Sequence, residues 1–230
     1  MPQVIDSDTH VIESEQIWEF FDRDLYQRRP TLVEFPDPGT GRVGHRWVID
    51  GAIFPKPHGR GGMALATPPM DEREAVEQDW ACRSLTDPAT RLAHKDRMGV
   101  GVQVIYPTLF IAYLTEDVGL EVALCRAYNR FMAGVWARGG NELRWVVVPP
   151  LRSIEASIEE MNFGKEHGAV GVLFRGMEGE LSLADPYFYP IYTEAARLNL
   201  PVCIHTGAGS STFTAMCDSR YTSNFAHTMF

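Results

Sequence analysis

The fold is decided between residues 145 and 205. Trp145-Val-Val-Val148 is a short uncharged run, Ser153 opens a helix carrying Ile154, Ile158 and Met161 that closes near Gly168, and Val170-Gly-Val-Leu-Phe174 is a second apolar run leading to Arg175-Gly176. The cycle then repeats. Asp185-Pro186 starts a helix through Ala195, Ala196 and Leu198, which delivers the chain to Pro201-Val-Cys-Ile-His205. Short buried strands alternating with amphipathic helices predict right-handed βαβ crossovers and a parallel sheet, so the fold class is α/β.

Upstream, the same grammar holds. Asp87-Pro88 is an N-cap with proline at the first helical position, the helix runs to Met98 and stops at Gly99, and a strand follows at Val102–Tyr106. Thr115 is expected to cap a long helix whose Leu124, Cys125, Tyr128, Phe131, Met132 and Val135 form one core-facing stripe. Residues 3–8 read as a first strand, followed by a helical stretch with Trp18, Phe20, Phe21 and Leu25. From about 30 to 85 the pattern turns Pro- and Gly-rich, with one hairpin, His45–Ile49 and Ala52–Phe54 about an Asp50-Gly51 turn. This stretch is an insertion over the main body, expected to cover the pocket mouth and to offer Trp47 and Phe54 as exposed aromatics to a second subunit.

Strand starts at 102, 145, 170 and 201 lie one βα unit apart, and the first strand makes five. The residues leave two architectures open: an open doubly wound sheet, or an eight-stranded barrel cut short. Asp6-Ser-Asp-Thr-His10 is not the Gly-rich phosphate loop that would favour the former. A barrel would need roughly three more units, about 90 residues, after the fifth strand.

The chain of 230 residues has 45% apolar side chains, enough for one substantial core, and 21 Lys+Arg against 30 Asp+Glu gives a charge of −9. That balance excludes the basic footprint of a nucleic-acid binder and favours a small-molecule partner. No uncharged apolar run approaches the ~18 residues of a membrane span, and the N-terminus lacks an export pattern. Cysteines 82, 125, 203 and 217 form no C-x-x-C pair and read as buried thiols, which suits the cytoplasm.

Along an extended strand Asp6, Asp8 and His10 would share one face and emerge at its C-terminal end, where parallel α/β folds collect their sites. A carboxylate with an imidazole two residues on is a metal-ligand pair; the alternative is an N-cap cluster for the next helix. His205 ends the fifth strand on the same rim, and two strands supplying N and O ligands favour the metal. Arg175, ending the fourth strand, is a candidate grip for a substrate carboxylate or a structural ion pair with a loop acid. Tyr106 and Thr108 are candidates to line the pocket. His94, His167 and His45 have structural settings, and His58 and His227 are unassigned. Trp18 and Trp136 read as core.

Val4-Ile-Asp-Ser-Asp-Thr-His-Val-Ile-Glu13, Leu173-Phe-Arg-Gly176, Asp185-Pro-Tyr-Phe-Tyr-Pro-Ile-Tyr-Thr-Glu-Ala195 and Leu200-Pro-Val-Cys-Ile-His-Thr-Gly207 together resemble the amidohydrolase superfamily. They look most like its amidohydrolase-related branch, which includes aminocarboxymuconate-semialdehyde decarboxylase and the resorcylate-type decarboxylases. The resemblance implies a (β/α)8 TIM barrel, of which about the first five units are present across 1–230. It implies one divalent metal, Zn²⁺ or Mn²⁺, held by Asp8, His10 and His205. Arg175 stands where binuclear relatives carry a carbamylated lysine, which implies a mononuclear site. A sixth-strand acid/base residue and an eighth-strand aspartate ligand fall beyond residue 230.

The implied activity is non-oxidative decarboxylation of an aromatic or enoic acid. Two alternatives are hydrolysis of an ester, lactone or amide, and an inactive fragment lacking the later catalytic strands. The expected partners are a small carboxylic acid and a second copy of the chain in a homodimer, with no nucleic acid and no membrane.

Overall fold

In the computed structural model, the described residues are 4–36, 43–54, 80–205, 207 and 209–212. His58, Cys217 and His227 lie outside them. Five parallel strands form the main sheet: β1 (Ile5–Val11), β5 (Val102–Pro107), β6 (Leu143–Val147), β7 (Ala169–Arg175) and β10 (Val202–His205), in that spatial order. The order follows the chain without reversal, so the sheet has no switch point of the doubly wound kind. It also curls. In a flat sheet, four inter-strand steps of about 4.8 Å would hold β1 and β10 roughly 19 Å apart, whereas His10 and His205 meet across the gap at 3.2 Å. The architecture is the first part of a barrel.

The helices are α1 (Trp80–Ser84), α2 (Pro88–Arg97), α3 (Val118–Gly139), α4 (Ile154–Glu166) and α5 (Tyr189–Leu198). Their ends follow local chemistry. Asp87 accepts from the Ala89 N–H with Pro88 at the first position, and Ser153 accepts from the Ala156 N–H. Asp185 caps a 3₁₀ turn, Pro186–Phe188, that leads into α5. The cap of α3 is Asp117, which accepts from the Gly119 and Leu120 N–H groups, rather than Thr115. Thr115 instead accepts from the Asp117 N–H and donates to Asp50 at 2.6 Å.

The helix expected after β1 is two 3₁₀ turns, Glu15–Phe20 and Arg23–Arg28, with Asp22 extended before the second. A three-residue turn puts Trp18 and Phe21 on one side, and both are buried while Phe20 is exposed. They lie under α3, whose Leu120, Leu124, Tyr128, Met132 and Val135 fill the centre of the core.

Two faces of the sheet can be told apart. On the outer face Val147 packs on Gly164 of α4, and Phe174 on Phe188 and Tyr192, with ring centroids 5.7 and 5.5 Å apart. On the inner face Gly171 leaves room for Cys203. A Cβ there would come within 2.5 Å of its Sγ.

In the insertion, β2 (Thr31–Pro36), β3 (Val43–Ile49) and β4 (Ala52–Phe54) make an antiparallel sheet. The Asp50-Gly51 turn has φ of 49° and 79°, the left-handed pair that a two-residue hairpin requires. Trp47 is not exposed as expected. It is 7% exposed and packs edge-on against Trp18 at 5.7 Å, and Phe54 is partly buried against the same core. The apolar face of the hairpin is used by its own chain. Beyond β7 a second small hairpin, β8 (Met177–Glu178) with β9 (Leu181–Ser182), has no counterpart in the sequence reading.

Candidate metal centre

Asp8, His10 and His205 converge at the C-terminal edge of the parallel sheet. Asp8 Oδ1 lies 3.6 Å from His10 Nε2 and 3.5 Å from His205 Nε2, and the two Nε2 atoms are 3.2 Å apart. His10 Nδ1 is 2.9 Å from the Pro107 carbonyl, which can only accept, so the proton is assigned to Nδ1 and the lone pair to Nε2. Burial lowers the His10 pKa, against the raising effect of that carbonyl, with His205 lowering it further. The neutral ring is the form a metal needs. With a lone pair on His10 Nε2, either a proton on His205 Nε2 or a cation must lie between the rings.

The spacing suits a cation. Ligands about 2.0–2.1 Å from one ion are separated by about 3.3 Å at the tetrahedral angle and by about 2.9 Å at a right angle. The three edges here are near the first of these values. Two imidazoles and one carboxylate are a donor set for a borderline divalent ion. The exposed carboxylate of Asp8 leaves the centre open on one side.

Both ligands from β1 reach the inner face because the strand is bulged. Asp6 pairs with Gln103 and Thr9 with Ile105, three steps on β1 against two on β5. The face inverts across the bulge, so Asp6 does not share a face with Asp8 and His10 as an unbroken strand would require. Its carboxylate turns outward and accepts from Gln103 Nε2 at 3.0 Å.

Tyr106, the register partner of His10, stands beside the triad, with its ring 6.2 Å from His10 and 5.5 Å from His205. Burial and a hydrogen bond with the Cys203 thiol push its phenol well above the usual range, so it stays neutral. Thr108 has a different place from the one expected. Its hydroxyl donates to the Val11 carbonyl at 2.7 Å, and it does not line the neighbouring cleft.

That cleft, about 430 Å³ counted to its open mouth, lies beside the triad rather than over it. Phe110, Tyr113, Thr115, Arg152, Arg175 and Glu178 are on its walls. Arg175, the register partner of His205, is part of an ion pair with Glu178 through both Nε and Nη2, while Nη1 donates to the Ala112 carbonyl at 2.8 Å. Arg152 similarly holds the Thr115 and Glu116 carbonyls and the carboxylate of Glu121. Both arginines thus clamp the loop after β5. The hairpin tip reaches this loop too, through Asp50 to Thr115 and through Arg28, which bridges Asp50 and Asp117.

Glu13 is the functional-edge residue that the sequence reading passed over. Buried at the exit of β1, its Oε1 accepts the Thr108 and Leu109 N–H groups at 2.9 Å each. Burial raises its pKa to about 7 despite those bonds. The available signal was a glutamate directly after a buried strand end, in Val11-Ile-Glu13. Glu121 and Arg152 carried no comparable mark, since they pair with each other across 31 residues, and Glu178 finds Arg175 three residues back only through the turn after β7.

The sequence profile of the amidohydrolase family matches residues 5–227. Among solved structures, an amidohydrolase from Mycobacterium avium subsp. paratuberculosis K-10 is similar, with a TM-score of 0.63 and 20% identity over 90% of this chain. A 2,6-dihydroxybenzoate decarboxylase from Rhizobium has a TM-score of 0.58 with 15% identity over 96%. A 5-carboxyvanillate decarboxylase from Novosphingobium aromaticivorans, complexed with manganese and 4-hydroxy-3-methoxy-5-nitrobenzoic acid, has 0.59 with 16% identity over 94%. The chain spans 59%, 55% and 55% of their respective lengths.

Proposed function

The chain belongs to the amidohydrolase family, and from that premise we propose that it carries the divalent-metal centre of an enzyme that removes CO₂ from a small aromatic or enoic carboxylic acid. The observation that carries the reading is the convergence of Asp8, His10 and His205 beside Tyr106 at the C-terminal edge of a curled parallel sheet. Two of the similarly folded proteins are decarboxylases of aromatic acids, and one of those was solved with manganese. Zn²⁺ and Mn²⁺ both suit the mixed donor set.

When bound, the ion would supply Lewis-acid stabilisation of charge developing on the substrate. The chain's own residues set the conditions for it. The Pro107 carbonyl fixes the His10 tautomer, so Nε2 is presented without reorganisation. Asp8 brings the anionic donor on the open side. Tyr106 offers a neutral aromatic wall and a phenol that remains a hydrogen-bonding group throughout the working pH range. Arg175 is assigned to hold the loop after β5, because its guanidinium is already engaged by Glu178 and Ala112. The enzyme is further proposed to be a cytoplasmic homodimer.

The test is direct. Full-length protein loaded with Mn²⁺ or Zn²⁺ is supplied with hydroxybenzoate-type acids, and released CO₂ is measured alongside incorporation of ¹⁸O from labelled water. CO₂ without ¹⁸O in the aromatic product is expected. With the esters, lactones and amides of the same acids supplied in parallel, ¹⁸O in the released acid and no CO₂ from either set would make the centre hydrolytic.

A further inference from the structure

The bulge in β1 is held by a hydrogen-bonded chain on the opposite face of the sheet from the metal centre. Asp6 and Thr9 flank the bulge and both face outward, toward α2. Asp6 Oδ2 accepts from Gln103 Nε2 at 3.0 Å, Gln103 Oε1 accepts from Arg91 Nε at 2.8 Å, and Arg91 Nη2 donates to Thr9 Oγ1 at 2.6 Å. The same Nη2 donates to the backbone carbonyl of His10 at 3.2 Å, and Nη1 to that of Cys82 at 3.4 Å. The chain therefore leaves β1 on one side of the bulge and returns to it on the other.

Its chemistry admits one arrangement. Arg91 is donor-only and the Asp6 carboxylate acceptor-only, so the amide between them must turn its oxygen to the guanidinium and its nitrogen to the carboxylate. Arg91 is 7% exposed and Gln103 is 3% exposed. Among the described residues the guanidinium meets no carboxylate directly. Gln103 links it to the carboxylate of Asp6. A buried cation of this kind is costly to retain for packing alone, since an apolar residue would fill the space. Here it spans three points of one strand whose spacing exists only when the bulge is present. In an unbulged strand, residues three apart face opposite ways, and Arg91 could not engage Thr9 while Gln103 engaged Asp6.

We propose that Arg91 and Gln103 are positioning residues that lock the β1 bulge, and so turn Asp8 and His10 together onto the inner face. Without the lock, the strand gains by slipping into regular pairing with β5, and the slip moves the ligands at 8 and 10 relative to His205. The proposal rests on the reading of the triad as a metal centre, but the lock itself is observable without metal.

The test uses full-length protein with isotope-labelled histidine. In the metal-free state, a nuclear Overhauser contact between the His10 and His205 rings, whose centroids are 5.0 Å apart, reports the register. In parallel, Co²⁺ is titrated and its visible absorption recorded, with circular dichroism confirming folding. Gln103→Leu, which cuts both links at once, is expected to lose the ring contact and to bind Co²⁺ about 10- to 100-fold more weakly, the range for lost outer-shell partners. Thr9→Val, which removes only the terminal acceptor, should weaken Co²⁺ in the same direction, and Thr9→Ser should restore wild-type affinity and spectrum. Retention of the ring contact in folded Gln103→Leu overturns the proposal, whatever the metal does. Loss of the contact in a series whose wild type takes up no Co²⁺ would support the lock and sink the metal reading instead.

Discussion

Replacing Glu13 with Gln should flatten part of the pH dependence of stability. The carboxyl is buried at the exit of β1, and burial raises its pKa from 4.5 to about 7. Between those values the folded chain holds a proton on Glu13 that the unfolded chain has released. Unfolding then releases a proton, so stability falls as pH rises through this window. Below pH 4.5 the group is neutral in both states, and above pH 7 the penalty is complete. A rise from 4.5 to about 7 corresponds to about 3 kcal/mol. Glu13→Gln keeps an oxygen for the Thr108 and Leu109 N–H groups and removes the ionisable proton. Urea midpoints of metal-free wild type and variant at pH 5, 6, 7 and 8 give the difference at each pH. His10, whose lowered pKa makes stability rise with pH below 6.5, titrates in both proteins and cancels. The variant should gain on the wild type steadily from pH 5 to 8, by up to about 3 kcal/mol. A constant gap, or one that shifts in favour of the wild type with rising pH, refutes the reasoning.

His10→Ala with His205→Ala should abolish stoichiometric divalent metal in full-length protein by elemental analysis; retained metal would place the ion elsewhere. Arg175→Met leaves the buried Glu178 carboxylate without its partner and should destabilise by about 3–5 kcal/mol, with Arg175→Met/Glu178→Gln recovering part of it in a double-mutant cycle. A rise in KM for acidic substrates at unchanged stability would return Arg175 to substrate binding. Gly171→Ala should cost about 1–3 kcal/mol by overpacking against Cys203, and Cys203→Ala in the same chain should relieve most of that in thermal unfolding.

The α/β alternation was legible because each unit carries its own punctuation. Asp87-Pro88, Ser153 and Asp185-Pro186 open helical segments in the sequence as they do in the fold, and the Asp50-Gly51 turn is a local property of two residues. The three candidate ligands were legible because strand ends in a parallel sheet share a rim. The misplaced features depend on distant partners. Asp6 faces outward because β5 is matched to β1 with one residue to spare, which no inspection of residues 5–11 reveals. Thr115 yields its capping role to Asp117 because Asp50, far upstream, takes its hydroxyl. Trp47 is buried because Trp18 lies beneath it. Arg175 takes the second of its two expected settings, an ion pair with a loop acid, Glu178, three residues on across a turn after β7 that gave no hairpin signal in sequence.

The path by which the chain reaches this state follows from the pairing order. β5, β6, β7 and β10 join neighbours one crossover away, but among the described residues the partner of β1 is β5, so that Ile5 lies opposite Val102 across the whole insertion. Closing a loop about three times longer adds only about 1 kcal/mol of chain entropy, yet long-range pairing is what slows folding. β1 is thus the strand expected to dock last, onto a framework already built around α3 and α4. It brings Asp8 and His10 to a His205 that is already in place. Metal capture then closes the assembly rather than seeding it, and chelators should change the rate at which the chain comes apart far more than the rate at which it first collapses.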